Sequence, residues 1–301
     1  MRIAFLALVS IANLLLPAFS HAEPSAETKG ERFARWIHAG LLDPKAPIEQ
    51  RRVVVGEIEA LAKDDSDPGV LYLLGSLYRQ DSANSGSPLA QDPDRARELL
   101  SRAALHGYIL AMAKLSTIEL QAGNRFEANV WAQLYNHYAL DKDDANSFRQ
   151  ANFVAVIMQK ALDGFPKGKY DALNSAVGNM IAQYDVQIRR RHDESRGAAS
   201  VDPLEDPRLA NGWFTPPKSK GRRLESGMAE FVIELGTDGH VIQLWVLDAW
   251  PNPQMARFLR QKALSFRVRP DDTAHAKSTI HRLPITFDDG RYSMREEPKK
   301  D

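Results

Sequence analysis

The stretch that determines the fold of the C-terminal part reads GMAEFVIELGTDGHVIQLWVL, residues 227–247. Apolar residues such as Phe231 and Ile233 alternate with Glu230 and Glu234, which point to the opposite face. Alternation with a period of two predicts a β-strand, and the same pattern resumes after the turn. Asp-Gly, here in the Thr237–Gly239 turn, is a dipeptide that tight hairpin turns favour. The stretch therefore predicts an antiparallel β-hairpin.

A helix and a further strand are expected downstream of the hairpin. Pro251-Asn252-Pro253 opens a segment whose apolar residues recur at helical spacing as far as Leu264. Residues 279–287 then alternate again. The order strand, turn, strand, helix, strand predicts a small α+β domain over residues 226–290, followed by a polar tail over 291–301.

This order of elements resembles the C-terminal domain of TonB proteins. The matching positions are Gly227, Phe231, Asp238, Gly239, Val241, Phe266, Pro270, Pro284 and Phe287. The resemblance implies an exposed sheet edge to which a partner strand can add. Two features depart from the family. Phe214-Thr215-Pro216-Pro217 replaces the usual tyrosine–proline pair, and the chain has no long spacer rich in Pro, Lys and Glu.

The region before the hairpin has a helical period instead. Phe33, Trp36, Ile37 and Leu41 are spaced three or four apart, and no strand-like alternation interrupts residues 31–191. The sequence therefore predicts an all-α domain over residues 23–189. Charge and proline replace the apolar period over residues 190–225, which predicts a mobile linker between two independently folded domains.

Internal similarity within the helical region resembles the Sel-one-like repeat, a relative of the tetratricopeptide repeat. One copy covers residues 69–107, and a weaker copy follows it. The repeat positions are Gly75, Tyr78, Ala96, Ala103, Ala104 and Gly107 in the first copy, and Gly123 and Ala128 in the second. The resemblance implies closely paired helices stacked as in a solenoid, with a curved surface that holds proteins or peptides.

The first residues predict export. Met1-Arg2 precedes the apolar run Ile3–Leu16, and Ser20-His21-Ala22 has the small–x–small form of a signal-peptidase site. We expect residues 1–22 to be a signal peptide cleaved between Ala22 and Glu23, which would release the mature protein into the periplasm. The alternative is an uncleaved membrane anchor, and only that alternative would bring the chain into contact with a membrane.

Composition and motifs argue against several functional classes. Lys+Arg and Asp+Glu balance at 39 each, so the basic excess typical of nucleic-acid binders is absent. The chain has no cysteine, which excludes thiol chemistry and cysteine-containing metal sites. His275 and His281 flank a turn without a carboxylate at ligand spacing. With no catalytic motif in the sequence, we expect neither enzyme activity nor a catalytic, cofactor or metal site.

Two functions fit these features. The first is a periplasmic protein-binding or scaffold protein that combines helical repeats with a strand-adding TonB-like domain. Its partner would be a protein, such as an envelope or outer-membrane protein. The alternative is a TonB-type energy transducer for outer-membrane transport, which needs a permanent membrane anchor.

Overall fold

The computed structural model describes residues 27–80, 87–139, 155–196, 226–267 and 278–287. Most of these residues are helical, and a small three-stranded antiparallel sheet lies at the C-terminal end. This confirms the coarse prediction of a helical part followed by a small α+β part. The elements in chain order are α1 (Lys29–His38), α2 (Ile48–Leu61), α3 (Pro68–Arg79), α4 (Pro93–Leu105), α5 (Leu110–Ala122), α6 (Arg125–Ala139), a helical segment over 155–162, a 3₁₀ turn (Lys167–Lys169), α7 (Tyr170–Arg196), β1 (Gly227–Leu235), β2 (Val241–Trp250), α8 (Gln254–Leu264) and β3 (Thr279–Phe287).

The helix ends follow from local sequence. Asp67 and Asp92 cap α3 and α4, each accepting a hydrogen bond from a backbone N–H of the first turn, and each is followed by proline at the first helical position. Gly107 and Gly123 have φ values of +88° and +81°. Glycine adopts this left-handed conformation without strain, so each of these residues ends the preceding helix.

Small residues allow the paired helices to approach closely. A Cβ atom at Gly75 would lie 2.8 Å from Cγ of Leu100, so α3 and α4 touch at this point. At Gly107 a Cβ atom would lie 2.6 Å from Cβ of Arg191, which places α7 directly against the end of α4. These contacts explain why small residues occupy positions that the repeat pattern singled out.

The sheet has the strand order β2-β1-β3, with β1 in the centre. Phe231 in β1 is opposite Val246 of β2 and Leu283 of β3. The β1–β3 pairing is continuous over nine residue pairs, whereas the β1–β2 pairing is irregular at two points. At the first of these, the register passes from Asp248 to Val246, which leaves Leu247 as the extra residue of a β-bulge.

Both faces of the sheet are covered. On one face, α8 packs against a cluster that includes Phe231, Ile233 and Leu259. On the other face, Val232, Leu247 and other sheet residues join the hydrophobic core of the helical part. The sheet and the helices therefore share a hydrophobic core along this second face, a contact that the composition shift did not predict.

The predicted linker also needs correction at its start. Helix α7 continues to Arg196, so residues 190–196 are helical. The apolar period fades in this segment because none of residues 190–194 is buried, whereas Ile188, just before it, is buried. Residues 197–225, the rest of the predicted linker, lie outside the described residues.

Candidate functional site: a charged interface and an open sheet edge

Four charged side chains meet where the sheet packs on the helices. Two are cations from the helical part, Arg79 at the end of α3 and Lys114 in the middle of α5. Two are carboxylates from the sheet, Glu230 of β1 and Asp248 of β2, which are opposite each other in the register. All four are buried, with between 0% and 8% of each residue exposed. We call this group the charged interface.

Lys114 occupies the centre of the charged interface. Its Nζ atom lies 2.6 Å from Oε2 of Glu230 and 3.0 Å from Oδ2 of Asp248. It also donates a hydrogen bond of 2.6 Å to Oγ of Ser76 on α3. A buried ammonium group needs such partners because it has lost its hydration. Lys114 thus links two helices and two strands.

Arg79 completes the interface on the side of β2. Its guanidinium group forms a short ion pair with Oδ1 of Asp248 and donates to Oγ1 of Thr117 at 3.0 Å. Burial tends to raise the pKa of Asp248. The charges of Arg79 and Lys114 outweigh burial, so the pKa lies below the ordinary value of 3.8. Asp248 is therefore ionised in the folded protein at neutral pH.

Tyr72 of α3 extends the network toward the second carboxylate. Its hydroxyl donates a hydrogen bond of 2.5 Å to Oε2 of Glu230, and Nζ of Lys114 lies 4.3 Å from the centre of its ring. Burial, reinforced by the negative charge of Glu230, raises the pKa of Tyr72 well above 10.0. Tyr72 is therefore a neutral donor to Glu230.

Arg282 anchors β3 to the helical part beside the charged interface. Its guanidinium group donates to the hydroxyl of Tyr108 at 2.6 Å and to the backbone oxygen of Gly69 at 3.3 Å, and it lies 4.6 Å from the ring centre of Phe33. Burial lowers the pKa of Arg282, but Tyr108 and Glu230 outweigh burial and raise it. Each strand of the sheet thus sends a charged side chain to the helical layer, and β1 sends a second one, Glu234, whose Oε1 lies 3.4 Å from Nε2 of His38 on α1.

The chemistry of the charged interface is that of a joint between two parts of the chain. The ionic groups neutralise each other across the interface, and their burial keeps them from contact with solvent. A general acid or base must reach a substrate proton through open space, which these four side chains do not face. Their geometry fits docking of the sheet onto the helices.

The second feature of interest is the outer edge of β3. Within the described parts of the chain, β3 pairs with β1 on one side and with no strand on the other. The edge at β2 differs, because an isolated bridge between His240 and Arg267 lies at the start of β2 and the β1–β2 pairing is bulged. Bulges protect sheet edges from strand addition. The β1–β3 pairing has no bulge, and Pro284 is the one residue of β3 without a backbone N–H.

The repeat residues are distributed through the helical core. Ala96, Ala103, Ala104 and Ala128 are each fully buried. Tyr78 is half-buried, and its hydroxyl donates to Oε1 of Glu59 at 2.7 Å. The structure brings these residues together as packing contacts between helices and gathers them at no common cavity or surface.

The TonB-like residues divide between core, turn and edge. Phe231 is buried against α8. The turn at Asp238–Gly239 is closed by the backbone N–H of Gly236, which donates to the backbone oxygen of His240 at 2.8 Å, and Oδ1 of Asp238 accepts from His240 N. Val241 begins β2, Phe266 packs against the core under α8, and Gly227 touches the backbone at Trp250. Pro284 and Phe287 lie in β3. Pro270, Ala22 and Glu23 are outside the described residues.

The charged interface has no counterpart among the patterns of the sequence. Alternation places Glu230 on the face opposite Phe231 but indicates no partner for it, and no motif includes Lys114, Arg79, Asp248 or Arg282. One signal was available, since Lys114 is the only charged residue within the run Tyr108–Ile118. A lone lysine in an apolar helix needs a buried counter-charge or a path to solvent.

Comparison of the chain with protein-family models, with curated proteins and with solved structures gives no match. Within the described ranges, no group of three or more metal-ligating side chains is placed to hold an ion. The helices of the same ranges include none that is both long enough and apolar enough to cross a bilayer.

Proposed function

We propose that this chain is a periplasmic protein-binding or scaffold protein whose helical repeats carry a small sheet and whose sheet recruits a partner strand along β3. The observation that carries the proposal is the regular outer edge of β3, which no described strand covers. The resemblances to Sel-one-like repeats and to the TonB C-terminal domain support it, since both imply contact with proteins.

The packing narrows the candidate binding surfaces. The sheet lies on α3 and α5, so its own strands occupy that face of the helical part. Helix α8 covers the other face of the sheet. A partner that approaches the sheet therefore meets an edge, where recognition depends on main-chain hydrogen bonds.

Pro284 indicates which main-chain groups of β3 face outward. Residues of an antiparallel pair alternate between hydrogen-bonded and non-hydrogen-bonded positions. Pro284 is opposite Glu230 and has no N–H, so we place this pair at a non-hydrogen-bonded position, with the proline nitrogen toward the open edge. By alternation, the N–H groups of Ile280 and Arg282 also point outward, while those of Thr279 and His281 point to β1.

A proline at an outward position tests strand addition without removing a β1–β3 hydrogen bond. We expect Ile280→Pro to abolish partner capture because it removes an outward N–H. Ile280→Ala is the matched control: it also shortens the side chain, which packs against the core, but keeps the N–H. Partners would be captured from a periplasmic extract, identified by mass spectrometry and measured again with purified protein. If the two variants bind the partner with equal affinity, the recognition site lies outside the edge of β3.

Energy transduction is the second candidate, and the apolar run Ile3–Leu16 favours it. A transducer needs a retained N-terminal anchor, whereas a released periplasmic protein starts at Glu23. Reading the N-terminus of the chain from its native host therefore separates the two candidates.

A further inference from the structure

The charges at the charged interface are segregated by side. Both cations, Arg79 and Lys114, belong to the helical part, and both carboxylates, Glu230 and Asp248, belong to the sheet. Among the described residues neither Arg79 nor Lys114 forms an ion pair with a carboxylate of the helices, whereas the sheet also carries Arg282 of β3 near Glu230. The neutral side chains that contact the four groups, Tyr72, Ser76 and Thr117, are on the helices, and the backbone N–H of Ala249 on β2 donates to Asp248.

The charged interface lies within a larger apolar contact between the sheet and the helices, which includes Val232 and Leu247. Buried ion pairs are held less favourably than apolar residues of similar volume, because desolvation offsets most of the attraction. This network is also incompletely paired: Oε1 of Glu230 and Nε of Arg79 are buried without a hydrogen-bond partner among the described residues. When the two sides separate, every one of these charges regains water. Separation therefore recovers hydration that separation of an apolar interface would not.

We propose that docking of the sheet is reversible, and that the face of α3 and α5 around Arg79 and Lys114 is a docking surface for an acidic β-sheet surface, occupied in the closed chain by its own sheet. In the open state the helical part and the sheet each remain folded. The helical face then presents a guanidinium and an ammonium group, and the sheet presents two carboxylates together with Arg282 of β3. The inference rests on the charged interface and is independent of strand addition at β3.

The absence of cysteine allows a direct test in the full-length chain. Ser76 and Ser116 are both fully buried serines, so each can be replaced by cysteine with a small change in volume. Ser76 contacts Lys114 at the charged interface, whereas Oγ of Ser116 donates to the backbone oxygen of Ala128 between α5 and α6. The thiol of Ser76→Cys becomes accessible when the sheet undocks. The thiol of Ser116→Cys becomes accessible only when the helices unfold.

Thiol labelling under native conditions should be more than about tenfold faster in Ser76→Cys than in Ser116→Cys, because undocking needs less free energy than unfolding. Adding Glu230→Gln should accelerate labelling of Ser76→Cys and leave Ser116→Cys unchanged. Equal rates in the two serine variants, or equal acceleration of both by Glu230→Gln, would overturn the proposal. Thr117→Cys supplies a second reporter, since Thr117 is buried and contacts Arg79. It should label as Ser76→Cys does, and labelling at the Ser116→Cys rate would also overturn the proposal.

Discussion

Replacement of Lys114 by methionine is the sharpest test of how the two parts of the chain are joined. Methionine keeps the length and much of the volume of the side chain but removes the ammonium group. Its loss leaves Glu230 with the hydroxyl of Tyr72 and with the charge of Arg282, and it leaves Asp248 with Arg79 and the backbone N–H of Ala249. The Lys114→Met chain therefore lacks the cation that forms the described ion pair with Glu230.

The stability that Lys114→Met should lose follows from the burial of the charged interface. Removing one member of a buried ion pair destabilises a protein by about 3–5 kcal/mol, mostly because the remaining charge stays buried without its partner. In a chain of this size, 1 kcal/mol shifts the melting temperature by roughly 2–4 °C. We therefore expect Lys114→Met to lower the melting temperature by roughly 6–20 °C. Lys63 is exposed, and Lys63→Met should change stability by less than about 0.5 kcal/mol.

Thermal and urea unfolding, followed by circular dichroism, measure both variants. A third variant, Lys114→Met with Glu230→Gln, removes one charge from each side and should recover part of the loss, with a coupling of about 0.5–3 kcal/mol. A loss below ~1 kcal/mol in Lys114→Met would show that Lys114 reaches solvent and would refute the reasoning. The same conclusion would follow if the double variant were no more stable than Lys114→Met.

Three further predictions concern acid stability, helix packing and processing. The pKa of Asp248 in the folded protein lies below its ordinary value of 3.8, so ionised Asp248 stabilises the fold fully above pH 3.8, and this stabilisation is lost as the pH falls through the lower, folded pKa. Asp248→Asn should therefore be less stable than the wild type at neutral pH, and its stability should decline less in acid. Urea unfolding across a range of pH measures both effects. Gly75→Ala should cost about 1–3 kcal/mol because its methyl group would lie 2.8 Å from Leu100, whereas Gly56→Ala, with open space around it, should be neutral or stabilising by ~0.5 kcal/mol. Mass spectrometry of the mature chain should find Glu23 as its first residue, and an intact Met1 would contradict cleavage.

The elements that the sequence predicted well are those with strong local signals. The Asp238–Gly239 turn and the alternation around Phe231 define the β1–β2 hairpin, and the structure forms it. Asp92 and Pro93 begin α4, as the cap-then-proline order indicates. These features depend on neighbouring residues, so a single sequence contains the information needed to predict them.

The charged interface between the sheet and the helices could not be predicted from neighbouring residues. A glutamate that alternates with apolar residues has the same pattern whether it faces water or faces a buried cation, so the pattern predicts only that Glu230 lies on the face opposite Phe231. Lys114 and Glu230 are far apart along the chain, so no period connects them. The composition shift near residue 190 indicated a boundary, but composition does not show whether the parts on either side of it pack together.

The distance along the chain between the two sides of the charged interface has a consequence for biosynthesis. Tyr72 and Glu230 are separated by 158 residues, so the helical face is complete long before its covering strands have been synthesised. Domains fold as they emerge, and apolar surface exposed at that stage promotes aggregation. We therefore expect Arg79 and Lys114, hydrated until the sheet is made, to limit aggregation of this face during synthesis.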